Sequence, residues 1–434
     1  MHLLWGGTPE NGITAQENAE TATTIPTTGM KITKGGDYEI KGDTYTGGIT
    51  VNASDNDEVT IHIASNVKFT RDNQVFIWVE NAKLVTIENT DNHTVTLNGQ
   101  HFYDLSTASN GVESVINGGT YIAPGRNMIM VQGTNNTLTL NNVNIQTNTG
   151  YAVTTDSNTV YVNGGTFTKT SSLYSEFKNQ GHLTLTDVTV TPQVAVDGKT
   201  STIVENYTGA VVEINGGNYK TTNQSCIVNN GTVTINNGTL ESEGASCIQN
   251  NWGRVEINGG TVSISKFDGQ DEATGDVNMQ NFALQTIYSV DDCYTLINGG
   301  TFDGRVLLNA VAKASGVADN VITGGDFKKS IYIQKDKDVT GDVPLNVSIQ
   351  GGTYHYTPGY YTRPANDPLY PGRKASDPAY LFQFATQEFT EKGVGDDGPV
   401  YNAFRGGSLV KNPDKYDMNA FASMFPKNAI ITAE

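Results

Sequence analysis

The 434-residue chain is poor in cysteine, in charge and in long apolar runs. Three cysteines do not make a disulfide framework, and no cysteine pair has ligand spacing with a histidine, so nothing in the sequence suggests zinc. Charged residues make up 17% of the chain, and 27 Lys and Arg face 45 Asp and Glu for a net charge of −18. A chain so short of basic residues has no face for nucleic-acid phosphates or anionic membranes, and a strongly anionic glycan would need a bridging cation. No segment is apolar for long enough to span a bilayer. The opening Met1-His2-Leu3-Leu4-Trp5-Gly6 has no basic start and no apolar run of signal-peptide length. The expectation is therefore no signal peptide, with synthesis in the cytoplasm, release by lysis and display outside the cell or on a virion surface.

What the chain does have is repetition. Ile116-Asn117-Gly118-Gly119-Thr120-Tyr121 returns as Val162 to Phe167, Ile214 to Tyr219, Ile257 to Val262, Ile297 to Phe302, Ile322 to Phe327 and Ile349 to Tyr354. Degraded copies begin at Leu140, Leu185 and Ile235, and neighbouring copies lie 24, 22, 23, 29, 21, 22, 40, 25 and 27 residues apart. A period in this range marks a solenoid, in which each repeat buries its apolar face only against its neighbours. Apolar residues alternate within each repeat, as in Val160-Tyr161-Val162 and Val255-Glu256-Ile257, which is strand periodicity. With no helical half-repeat, the fold expected is an all-β, right-handed parallel β-helix of about 13 coils over residues 36–356.

Stacked coils place like residues above one another. Asn117, Asn163, Asn215, Asn236, Asn258 and Asn298 should form one amide ladder, and Asn179, Asn206, Asn229 and Asn250 a second. Tyr121, Phe167, Tyr219, Phe302, Phe327 and Tyr354 are expected to make an aromatic stack. Cys226 and Cys247, in matching Ser-Cys-Ile contexts, should stack as free thiols, because ladder side chains point the same way and strain a bridge.

The Ile-Asn-Gly-Gly-Thr-Phe coils, with linkers such as Phe177-Lys178-Asn179-Gln180-Gly181, resemble right-handed β-helix proteins of the pectate-lyase-like superfamily. They are most similar to the non-catalytic, surface-exposed versions of gut bacteria and their phages. Gly36-Asp37-Tyr38-Glu39-Ile40-Lys41-Gly42, Ile49-Thr50-Val51 and Val59-Thr60-Ile61-His62-Ile63 are similar to the first coils of a clostridial carbohydrate-binding β-helix family. The resemblance covers about residues 36–356. It implies a phage fibre or decoration protein touching host-surface or mucus glycans, or else a secreted carbohydrate-binding adhesin; the superfamily also contains polysaccharide lyases and hydrolases.

Three segments break the repeat. Residues 1–35 form an irregular N-terminal segment, read either as a disordered leader or as an attachment peptide docking on a virion or cell-surface assembly through Leu3, Leu4 and Trp5. The 40-residue spacing after Ile257 implies an excursion around 267–282, whose Asp268, Asp271, Glu272 and Asp276 are either a solvated acidic loop or Ca²⁺ ligands, the one cofactor in view. Residues 357–434 are expected to hold a loop, a degraded coil and a cap. Tyr356, Tyr360, Tyr361, Tyr370 and Tyr380, interleaved with prolines, suit a cap over the last coil, a contact in a homo-oligomer or a glycan platform. Beyond them, Phe404 to Leu409 reads as one last coil and Asp417 to Met424 as a short amphipathic helix.

An active site is not legible. Polysaccharide hydrolases need two carboxyls flanking the bond, and here Asp291-Asp292 is the one promising pair within the coils; Asp396-Asp397 lies in a Gly-rich stretch. Arg71, Arg126, Arg254 and Arg305 are scattered, without the carboxylate cluster that a lyase base requires. The expected activity is binding without catalysis.

Overall fold

The structure is a computed structural model. It describes residues 22–335 except 72–73, 99–100, 124, 126, 171–172, 193–200, 266–281, 287–293, 311–319 and 330. Beyond 335 it describes only 347–349, 352–354, 359–362, 380–381, 391–392, 401–402, 404–405 and 431–432. Leu3, Leu4, Trp5, Asp268, Asp271, Glu272, Asp276, Arg126, Asp291, Asp292, Tyr356, Tyr370, Asp396 and Asp397 lie outside these residues, as does the helix expected over 417–424.

The chain winds through three faces and returns one coil higher, the strands of these coils pairing in parallel with their equivalents above and below. The first face begins with Met30–Ile32, Ile49–Asn52 and Val75–Asn81. The second begins with Gly36–Ile40 and Glu58–Ile63, and the third with Thr44–Tyr45 and Val67–Phe69. Strands such as Glu113–Ala123 and Thr232–Ser242 bend from the second face into the third without a break. The result is a parallel β-solenoid of about ten turns over residues 30–264. Past 281 three further strand sets continue the same pairing, the last comprising Ile331–Lys335, Val347–Ile349 and Thr353–Tyr354. The sequence count of about 13 treated 36–356 as coils of equal length, whereas the turns vary and the later ones are interrupted.

Register explains the core. One column on the second face runs Ile61, Ile87, Ile116, Leu140, Val162, Leu185, Ile214, Ile235, Ile257, Ile297, Ile322. Every member is buried, each contributing about 1.5–3 kcal/mol of transfer free energy. The Asn-Gly-Gly turn between second and third faces is tight for a geometric reason. Gly165 has φ +89°, and a Cβ there would sit 2.2 Å from the Val143 carbonyl oxygen of the coil below. Gly217 repeats this with φ +94° and the Val188 oxygen at 2.1 Å.

Both amide ladders form, with one interruption. On the outside, Asn141 donates to Asn117 (2.9 Å) and Asn163 to Asn141 (3.0 Å). The run resumes with Asn236 to Asn215 (2.7 Å), Asn258 to Asn236 (2.9 Å) and Asn298 to Asn258 (2.8 Å). Thr186 aligns with Asn163 and breaks it between. The second ladder is internal: Asn179 donates to Asn206, Asn206 to Asn229 (2.8 Å each) and Asn229 to Asn250 (2.9 Å), all fully buried. It continues a first-face column that begins Ile32, Val51, Val79, Leu105, Val131, Thr155, so the solenoid exchanges an aliphatic stack for an amide one. Each buried amide also serves its own turn, as where Asn229 Oδ1 accepts from the Gly231 amide at 3.0 Å, which satisfies polar groups that could not be left unpaired.

The aromatic residues share one column but not one stack. Their register reads Tyr121, Ile145, Phe167, Val190, Tyr219, Leu240, Val262, Phe302, Phe327, Tyr354, so aliphatic residues separate the first three rings. Phe302 and Phe327 do stack, with centroids 4.8 Å apart and planes 9° apart. Cys226 and Cys247 are buried free thiols in adjacent coils.

Strand pairing also reaches segments before residue 36 and after residue 356. Thr23–Thr24 pairs with Tyr38 and Glu39, and Ile25 is buried, so pairing starts before residue 30. Gly359–Thr362 stacks on Ile331–Lys335 and is itself met antiparallel by Tyr380–Leu381. Tyr360, Tyr361 and Tyr380 thus lie on strands. Phe404–Arg405 pairs in parallel with Ile431–Thr432, and the rest of the degraded coil expected over 404–409 lies outside the described residues.

Candidate functional site

At the corner where the third face hands over to the first, side chains of successive coils line a cleft of about 620 Å³ between Thr28 and Trp78. Two glycines permit the close approach that forms its floor. A Cβ on Gly29 would lie 2.3 Å from the Gly48 oxygen, and one on Gly48 2.6 Å from the Val75 oxygen. Lys31, Thr50 and Trp78 share one outward column of the first face, one above the other, and Arg71 and Gln74 reach the cleft from the corner itself. Beside the column, Glu80 accepts a hydrogen bond from Asn52 Nδ2 (2.6 Å) and lies 3.9 Å from the Lys31 ammonium. An indole wall beside donors and acceptors of both kinds suits a ligand with one apolar face and a rim of hydroxyls.

Farther along the same corner the solenoid buries charge. Lys169 ends the third-face strand Thr166–Lys169 at an inward position that other coils fill with Thr147, Ser242 or Ile264. Its ammonium donates to the Gly150 carbonyl and to that of Ser175 (2.7 Å). Glu176 is buried beside it, with no hydrogen-bond partner for either carboxylate oxygen among the described residues. Desolvation pulls the Lys169 pKa below the ordinary lysine range, opposed by Glu176 and Glu205, and pushes that of Glu176 above the ordinary carboxylate range, opposed by Lys169. Outside this pair, the Lys178 ammonium lies 5.9 Å from the Tyr151 ring centroid and 5.5 Å from that of Tyr207. Glu205 aligns with Lys178 one coil up and accepts from Tyr207 Oη at 3.4 Å.

The sequence reading singled out none of these groups as a binding site, and its own candidates are not brought to this corner among the described residues. Tyr360 and Tyr361 stack beyond Ile331–Lys335 at the far end of the ladder, and Tyr380 pairs there too. No group of three or more metal-ligating side chains occurs among the described residues.

The class of protein these features define is a parallel β-solenoid with an open corner cleft. Within it, residues 27–116, roughly a fifth of the chain, match a family model described as carbohydrate-binding domain-containing protein. No curated protein and no solved structure matches the chain.

Proposed function

We propose that this protein is a non-catalytic, surface-exposed β-solenoid that binds carbohydrate in the Thr28–Trp78 cleft. The observation that carries this reading is a coincidence of positions: the segment matching the carbohydrate-binding family, 27–116, is the one that supplies every residue of that cleft. Trp78 offers the ring against which a pyranose lays its C–H face, while Lys31, Thr50, Arg71 and Gln74 meet its hydroxyls. The acidic balance of the chain favours neutral glycans. The setting we propose is a phage virion, the protein serving as a fibre or decoration anchored through the N-terminal stretch that holds Leu3, Leu4 and Trp5 and touching host-surface or mucus glycan. Its polar, threonine-rich flanks suit a particle surface. A bacterial adhesin would use the same cleft, and antibody labelling of purified particles against cell envelopes separates the two.

The test of binding is a glycan array followed by titration calorimetry on the strongest ligand. Trp78→Ala should weaken that ligand at least about tenfold, or 1.4 kcal/mol, with the melting temperature retained. Binding unchanged in Trp78→Ala would place the site elsewhere. Release of reducing ends or unsaturated products from the bound glycan would overturn the non-catalytic reading.

A further inference from the structure

Five large apolar or aromatic side chains are exposed among the described residues: Tyr161, Leu173, Tyr174, Tyr207 and Trp252. Three of the five belong to one stretch of the first face. Leu173 and Tyr174 stand on the turn that enters this face at Phe177, and Tyr207 stands on the turn that leaves it one coil up. Tyr151 links them: its ring lies 5.2 Å from that of Tyr174, and the Lys178 ammonium lies 5.9 Å from its centroid and 5.5 Å from that of Tyr207. The rings therefore form a strip that crosses the face along the strand direction, from one turn to the next. Tyr174 is 55% exposed yet holds φ +65°, a left-handed conformation that bulky residues rarely adopt and that the surrounding structure must enforce. Apolar side chains gathered in one place and held out to solvent mark an interaction surface.

The charges within the strip say what fits it. Lys178 and Glu205 are half-buried and align in register, one coil spacing or about 4.8 Å apart along the solenoid axis. They do not form an ion pair with each other. Lys178 lies over the two rings, and Glu205 accepts from Tyr207 Oη at 3.4 Å. A single cation would call for an acidic partner, and a single anion for a basic one. Opposite charges side by side are matched by a second copy of the same surface after half a turn, the self-complementarity that an isologous contact requires. Charge also selects the direction of the two-fold axis. An axis along the solenoid would set Lys178 against the partner's Lys178. An axis across it, parallel to the strands, sets Lys178 against the partner's Glu205 twice over and lays each tyrosine near its own counterpart.

We infer that this strip is a self-association surface, through which two copies of the chain meet first face to first face with their solenoid axes antiparallel. Tyr151, Leu173, Tyr174 and Tyr207 supply the apolar contact, and Lys178 and Glu205 fix its register. The strip covers only a few coils, so the contact is at the small end of specific interfaces and the dimer should be weak, with a Kd on the order of 10 µM. The inference is independent of the carbohydrate reading: Trp78 lies four steps below Lys178 in the same column, about 19 Å away.

The experiment is sedimentation velocity of the full chain over a concentration series, with Lys178→Glu, Glu205→Lys and Tyr174→Ala compared with wild type. Wild type should pass from monomer to dimer as concentration rises. Each charge reversal puts like charges opposite each other twice, and should weaken self-association at least about tenfold. Mixed in equal amounts, the two reversal variants should dimerise again with each other, because every charge contact across that pair joins opposite signs. Tyr174→Ala should weaken the dimer by a similar factor through lost ring contact, and it keeps the test open should a reversal lower the melting temperature. A chain that stays monomeric up to about 1 mM overturns the proposal. So does a dimer that tolerates both reversals, or a mixture of the two that does not regain it.

Discussion

Lys169 and Glu176 show how one coil departs from its neighbours. The sequence carries the signal, because Thr166-Phe167-Thr168-Lys169 puts a lysine where alternation calls for an inward residue. That its partner is Glu176 could not be read, since the corner joining them varies in length from coil to coil. The linkage has a definite sign. Glu176 holds its proton more tightly folded than unfolded, so its contribution to stability is full below its unfolded value near 4.5 and is lost as pH rises through its higher folded value. Lys169 holds its proton less tightly when folded, so its penalty lifts only as pH rises towards 10.5. Melting temperature should therefore sag across the middle of that window and recover at its alkaline end. The double variant Lys169→Met, Glu176→Leu should flatten this profile and be about as stable as wild type or better. Either single change should cost about 3–5 kcal/mol by stranding the other charge. A double variant that keeps the sag would assign it to other groups.

The turn and the ladder are the elements that repeat, and they were the most legible. Asn-Gly-Gly recurs because each position has a geometric duty, and the spacing of Asn179, Asn206, Asn229 and Asn250 placed them in one column before any coordinates did. The aromatic column was read correctly in position and wrongly in contact. The motif's last residue is aromatic in every full copy but the one ending at Val262, and Ile145, Val190 and Leu240 from degraded copies intervene as well. The glycines give a graded test. Gly165→Ala meets both a positive φ and the Val143 carbonyl, whereas Gly111→Ala meets only a φ of +71°, with nothing within 4 Å of the added carbon. Gly111→Ala should cost about 1–2 kcal/mol in denaturant melts, and Gly165→Ala clearly more. Equal costs would mean the coils can shift apart at the turn.

At the scale of the whole molecule, the parallel solenoid was readable because repetition averages over the irregularities of single coils. The cleft was not, because it is assembled from residues about one coil apart, Gly29, Gly48 and Trp78, that share no motif and lie between the recognisable strands. Sequence reasoning turned instead to the tyrosine-proline run, where aromatics are close in the chain rather than in space. The two locations are now rivals for the glycan, and hydrogen–deuterium exchange with and without a bound glycan decides between them. The account predicts slowed exchange at residues 28–31, 48–50 and 74–78, with the 354–381 stretch unchanged. Protection confined to 354–381, with none in the first three coils, would contradict it.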